Sequence, residues 1–201
     1  MTVKHKYSTS QVVAVAAVIL AVALLRVAFT LRFPGWSNFS PLMAMAFCGG
    51  LFLPGMMAWI FPLAVLLVSN IGLNLALGYD VRDVVGVGQL AAWACFAVAV
   101  GAGRWLARKE SFGGWTFIGA ILGNALLFYA VTNTVSWFSM PEYARTVAGW
   151  VQALTTGLPQ YAPTWIFFRN SLVSDFLFVG LILGVRALAL RTSSEAALAR
   201  S

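Results

Sequence analysis

A small set of hydrogen-bonding side chains interrupts otherwise apolar sequence, and its spacing favours shared helix faces. Asn70 and Asn74 are four residues apart, so a helix turns both the same way. Tyr129, Asn133 and Trp137 repeat that spacing. Arg26, Gln89 and Asp175 stand singly in three further apolar runs, Arg169 shortly precedes the last, and Asn38 follows the first. These groups suit reversible recognition of a solute. Asn74, Gln89 and Asn133 would hydrogen-bond to it, and Trp137, Tyr129 or Trp165 would stack on it. Arg26 or Arg169 would neutralise an anionic group.

Bond-making chemistry is poorly supplied. His5 is the only histidine. Asp80 and Asp83 flank Arg82 in a polar loop, unlike a sequestered acid–base pair. Neither a nucleophile with its base nor an ATP-binding motif is completed. Cys48 and Cys95 both fall in apolar runs, and two cysteines alone make no zinc site. The expectation is therefore no enzyme, no cofactor and no metal centre.

Polar groups inside lipid are costly and usually face a bundle interior. They also have a plainer use. Asn70, Asn74 and Asn133 could bond neighbouring helices together. Arg26 could extend to the headgroups, and Asp175 could pair with Arg169 or Arg26.

The elements that must position these residues are apolar helices. Of the 201 residues, 61% are hydrophobic and 9% charged, and mean hydropathy is +0.86. That composition excludes an ordinary water-exposed surface. A spanning helix needs roughly 20 apolar residues. Six runs qualify or nearly do: 11–30, 40–54, 57–78, 84–106, 115–138 and 171–190. They are continuously apolar rather than alternating, so helices and not a β-barrel are expected. The fold class is all-α, a six-helix membrane bundle over 11–191 with tails at 1–10 and 192–201.

The net charge of +7 is read through its distribution rather than as a nucleic-acid surface. Lys4, Lys6, Arg104, Arg108, Lys109, Arg186, Arg191 and Arg200 fall on one side of such a bundle. The positive-inside rule then places both termini in the cytoplasm of a bacterial inner membrane. Arg26 and the lack of a small-residue cleavage site before Phe33 mark the first run as a retained helix.

The outer connection Ser139–Asn170 is the longest. Val147, Trp150, Val151, Leu154 and Leu158 recur there at helical spacing, which predicts a short amphipathic helix on the membrane or over a pocket. Small-residue pairs Ala17/Ala21, Gly119/Gly123 and Gly180/Gly184 permit close helix approach.

Three groups of motifs carry a family resemblance. They are Asn38-Phe39-Ser40-Pro41 leading to Gly49-Gly50, Ser69-Asn70 leading to Leu77-Gly78, and Phe167-Phe168-Arg169-Asn170-Ser171-Leu172 leading to Asp175. The chain resembles an uncharacterised bacterial family of six-helix proteins regarded as transporters. That family commonly has Asp at the position of Asn70. It is in turn similar to the S-components of energy-coupling-factor vitamin transporters.

The resemblance implies a vitamin or similar small solute bound from outside by outer loops and helix ends. It also implies contact of Ala17 and Ala21 with an energy-coupling membrane subunit served by ATPases. By analogy with solitary cobalamin-type members, Cys95 or Cys48 is a candidate cobalt ligand, although a buried apolar cysteine is usually inert. Solute uptake is the leading expectation. A non-catalytic assembly or scaffold subunit, packing through its small-residue faces, is the alternative.

Overall fold

A computed structural model describes the backbone of residues 9–80, 82, 86–111 and 113–198, and the side chains there except those of 9–19, 23, 34 and 189–198. The described residues form seven α-helices and a 3-10 turn, with no strand among them. The helices are α1 Thr9–Arg32, α2 Leu42–Phe52, α3 Met57–Leu77, α4 Val87–Ala107, α5 Gly114–Ser139, α6 Val147–Leu154 and α7 Thr164–Leu198. Four stretches are long and apolar enough to cross a membrane: α3, α4, α5 and Thr164–Leu188 of α7. Several such helices in one chain fit a multi-pass membrane protein.

The second expected span is an eleven-residue helix, about 16 Å long against a hydrocarbon core of about 30 Å. It is apolar on every side, which suits a helix surrounded by others. Leu42 to Gly50 are all buried, and α3, α4, α5 and α7 pack around it. Pro41 precedes its first turn with φ −74°, the angle its ring imposes. At the other end Leu53 leaves the helix in an extended conformation. The guanidinium of Arg104 donates to the Leu53 carbonyl at 3.1 Å, satisfying one of the acceptors that a helix end leaves open. Gly55, with φ +52°, supplies the left-handed residue of the turn into α3.

Contact between α2 and α4 is backbone to backbone. A methyl group at Gly50 would overlap the Val100 carbonyl, and one at Gly103 would overlap the Phe47 carbonyl. Sequence spacing pointed instead to Gly119/Gly123 and Gly180/Gly184. Those four glycines have nothing within 4 Å of where a Cβ would stand, so their faces do not pack within this chain. Ala21 is exposed, and the side chain of Ala17 lies outside the described residues.

Two further boundaries differ from expectation. Helix α7 begins at Thr164, seven residues before the expected start, because Pro163 ends the preceding loop and proline suits a helix entrance. Arg169 and Asn170 are therefore helical, not part of the outer connection. The same helix runs on to Leu198, through most of the expected tail at 192–201. Residues 1–8, in the other expected tail, lie outside the described residues.

A short helix, α6, lies where the spacing predicts one and takes in Val147, Trp150, Val151 and Leu154 but not Leu158. Thr146 caps it by accepting from the Gly149 amide at 3.1 Å, a normal N-cap bond. Its small side faces inward: Gly149 and Ala153 are buried, while Val147, Trp150 and Val151 are exposed. A methyl at Gly149 would overlap the Ala144 carbonyl.

These contacts predict opposite outcomes for glycine substitutions. Gly103→Ala and Gly50→Ala force α2 and α4 apart and should each destabilise the protein by about 1–3 kcal/mol. Gly123→Ala should be neutral or slightly stabilising, by up to about 1 kcal/mol of helix propensity. Thermal unfolding of the detergent-solubilised variants distinguishes the two groups.

Candidate functional site

One end of the bundle holds a cavity of about 480 Å³. It lies where the last turns of α1, α3 and α5 meet the first turns of α2, α4 and α7, and residues 37–40 of the α1–α2 loop enter its wall. Of the ten binding residues expected from sequence, Arg26, Asn38, Asn70, Gln89, Tyr129, Asn133 and Asp175 line it. Phe96, Phe128, Phe167 and Phe168 supply aromatic surface.

One wall is a directed chain of hydrogen bonds. The Arg26 guanidinium donates to Ser69 Oγ at 2.9 Å and to Asn70 Oδ1 at 2.5 Å. Asn70 Nδ2 donates to Gln89 Oε1 at 2.8 Å. The order is forced, because a guanidinium can only donate. Asn70 must present its oxygen to Arg26, its nitrogen must then point to Gln89, and Gln89 is left with its NH2 group to offer. The wall built by α1, α3 and α4 therefore presents donors and a positive charge.

The α5 wall has the opposite character. Thr132 Oγ1 donates to the Phe128 carbonyl at 2.7 Å, and Ser136 Oγ donates to the Thr132 carbonyl at 3.0 Å. Asn133 Nδ2 donates to the Tyr129 carbonyl at 2.8 Å. The Thr132 and Ser136 hydroxyls spend their only hydrogen on their own helix and keep oxygen lone pairs to offer, while Asn133 keeps its oxygen and one N–H. The Tyr129 hydroxyl donates to the Leu154 carbonyl at the end of α6, so this cavity residue also anchors α6 to α5. No residue of α6 lines the cavity.

Asp175 completes the acceptor side from α7. It is 3% exposed and lines both this cavity and a narrower pocket shared with Asn124. Among the described residues no hydrogen bond or ion pair reaches its carboxylate, and it does not pair with Arg26 or Arg169.

The loop in the wall is clamped to α7. Asn170, with 0% exposure, donates from Nδ2 to the carbonyls of Gly35 and Ser37, both at 3.0 Å. Ser171 Oγ donates to the Asn38 carbonyl at 3.4 Å and Ser174 Oγ to the Ser40 carbonyl at 3.2 Å. These bonds hold Asn38 at φ 68°, a left-handed conformation that asparagine tolerates better than most residues. Phe39 inserts between Phe29 and Phe178, with ring centroids 5.0 and 5.7 Å away.

Three expected residues stand outside the cavity. Arg169 lies above the clamp: its Nε and one terminal nitrogen donate to Asn170 Oδ1 at 3.3 and 3.0 Å. Its guanidinium is 5.7 Å from the Trp36 ring and 5.8 Å from that of Trp165. It thereby fixes which way the Asn170 amide faces. Trp137 donates to the Ala144 carbonyl at 2.8 Å and packs with Tyr143, Ala153 and Leu158 beside α6. Asn74 donates to the Asp80 carbonyl at 3.4 Å, beyond the last turn of α3.

Cys48 and Cys95 are buried and free, and neither lines the cavity. Among the described residues no cluster of His, Cys, Asp or Glu could hold a metal. Sequence reasoning missed Thr132, Ser136, Ser171 and Ser174. Thr132, Ser136 and Ser171 lie three or four residues from Tyr129, Asn133 and Asp175, and Ser174 lies three from Ser171, a helical spacing that would have found them.

The clamp carries a direct test. Asn170→Ala removes both donors from the Gly35 and Ser37 carbonyls, at about 1–3 kcal/mol for the groups left unsatisfied. Backbone amide exchange over residues 35–40 should rise, with little change in α3 or α4. Asn170→Asp should do the same, because a carboxylate cannot donate.

Compared with known protein families, residues 6–197 match a family of unknown function, DUF6580. No curated protein and no solved structure matches the chain. With nearly its whole length matched, the chain belongs to the DUF6580 family.

Proposed function

We propose that this protein is a substrate-binding membrane protein of uptake type, similar to the S-components of vitamin transporters. It captures a small solute in the cavity from outside the bacterial inner membrane. The observation that supports this most is the meeting of polar groups from α1, α3, α4, α5 and α7 in one space of about 480 Å³. That size lies in the range of roughly 300–1,000 Å³ typical of small-molecule sites. Apolar and aromatic walls with a few convergent polar groups are also characteristic of such sites. Cobalamin, with its corrin ring and nucleotide tail, is too large for this space, and neither cysteine borders it. A smaller vitamin or metabolite fits better.

In this reading the bundle has six spans, with α2 as a short central one and α6 lying in the outer interface. Both termini are cytoplasmic. The exposed apolar side of α6 suits an interfacial position. Arg104, Lys109 and Arg186 then gather at the cytoplasmic end, as positive residues do. Energy for release comes from a partner, such as a coupling subunit with ATPases, with Ala17 and Ala21 on the contacting helix.

The unoccupied glycine faces of α5 and α7 favour a second reading, a non-catalytic assembly subunit. Native mass spectrometry of the full chain separates the two. The binder releases a small molecule on denaturation, and Ala92→Phe, which fills the cavity, loses at least tenfold of that occupancy without losing fold. A chain that holds no small molecule but retains a membrane protein partner through Gly119→Leu-sensitive contacts is a scaffold. Cysteine-accessibility labelling at Asp80 and Lys109 should find the first outside and the second inside.

A further inference from the structure

The cavity holds a guanidinium and a carboxyl group that do not meet. Arg26 faces only neutral acceptors, Ser69 Oγ and Asn70 Oδ1. Asp175 is 3% exposed and, among the described residues, has no partner. Burying a charge is costly unless it is paired, and two complementary charges in one cavity would ordinarily close on each other. Here their neighbours hold them apart. Arg26 is tied to α3 by two hydrogen bonds. Asp175 sits on α7, whose adjoining turn is fixed to the α1–α2 loop by Asn170, Ser171 and Ser174.

The neutral groups follow the same division. Those beside Arg26 pass a donor along to the Gln89 amide, whereas those of α5 leave oxygen lone pairs. The cavity is thus polarised, with donors and a cation on one wall and acceptors and an anion on the other. Its remaining surface is largely phenyl rings and aliphatic side chains.

Resting on the reading of this cavity as a solute site, we propose that its ligand is a small zwitterion with an aromatic or apolar body. The ligand's carboxylate or equivalent anion meets Arg26 and Gln89, and its ammonium meets Asp175 and the α5 oxygens. A molecule carrying one charge satisfies one wall and leaves the opposite charge buried without a partner. The ligand therefore replaces an ion pair that the fold keeps open, and selectivity follows from leaving either charge unmatched.

Matched probes test this on the full chain in lipid nanodiscs by calorimetry. Phenylalanine is compared with 2-phenylethylamine and 3-phenylpropionate. A second set with wider charge separation compares 4-(aminomethyl)benzoate with 4-methylbenzylamine and 4-methylbenzoate. At least one zwitterion should bind tenfold or more tightly than both of its singly charged relatives. Asp175→Asn should erase its advantage over the acid. Asn70→Asp, which sets a carboxylate against Arg26 and neutralises it, should erase its advantage over the amine.

Equal binding of a zwitterion and a singly charged relative in both sets overturns the proposal, as does selectivity that survives both substitutions, or no binding across both sets. The wild-type comparison decides the matter even where a variant fails to fold. Ala92→Phe separates the two levels of inference. Where a singly charged probe binds as tightly as its zwitterion and Ala92→Phe abolishes that binding, the solute site stands and the zwitterion falls. If it leaves all probe binding intact, the cavity is not the site.

Discussion

Backbone carbonyls outside regular structure need donors of their own, and four from the partly exposed α1–α2 loop find them on side chains of α7. Asn170 answers two from one amide group, and Ser171 and Ser174 answer two more. The loop in turn brings Ser37, Asn38, Phe39 and Ser40 to the cavity wall. It also fixes where α2 begins, since only Pro41 separates Ser40 from Leu42. Arg169, with its guanidinium 5.7 and 5.8 Å from the Trp36 and Trp165 rings, sets the Asn170 amide with its oxygen toward the guanidinium and its nitrogen toward the loop. The course of the α1–α2 loop, and with it the part of the cavity wall built by residues 37–40, depends on that amide orientation.

This accounts for the two most distinctive sequence motifs, which lie more than a hundred residues apart. Asn38-Phe39-Ser40-Pro41 and Arg169-Asn170-Ser171 through Asp175 are two halves of one structural unit. Asn38 accepts a left-handed turn, Ser40 gives up its carbonyl to Ser174, and Asp175 stands one residue beyond the clamp. A motif that suggested ligand contact at every polar position divides into residues that face the cavity and residues that build its wall.

Much of the architecture was legible from hydropathy. Helices α1, α3, α4 and α5 fall within a few residues of their apolar runs, because lipid and helix interior demand the same composition. The polar residues placed at one depth do gather at one end, since that is where the helices leave room. The failures have physical causes. Trp137 shares a face with Tyr129 and Asn133, but two turns further on it meets the α5–α6 connection instead of the cavity. Asn74 is one turn past Asn70 and has already passed the cavity rim. Arg169 reads as a ligand charge only if the helix starts after it, and Pro163 starts the helix earlier. Small-residue spacing misled most. Glycines at i and i+4 reveal nothing about which helix lies opposite, and the close crossing is made by Gly50 and Gly103, which share no motif.

The eleven-residue α2 acts as a strut between the two faces of the bundle. At one end it continues directly into the cavity-lining loop, and at the other the carbonyl of Leu53, its C-cap, is held by Arg104 from α4. Its sides are locked to α4 by backbone contact at Gly50 and Gly103, so it has little freedom to bend or slide alone. A shift of the cavity-lining loop would therefore move α2 as a stiff unit, and its far end at Arg104 lies only about 16 Å, or three helical turns, away.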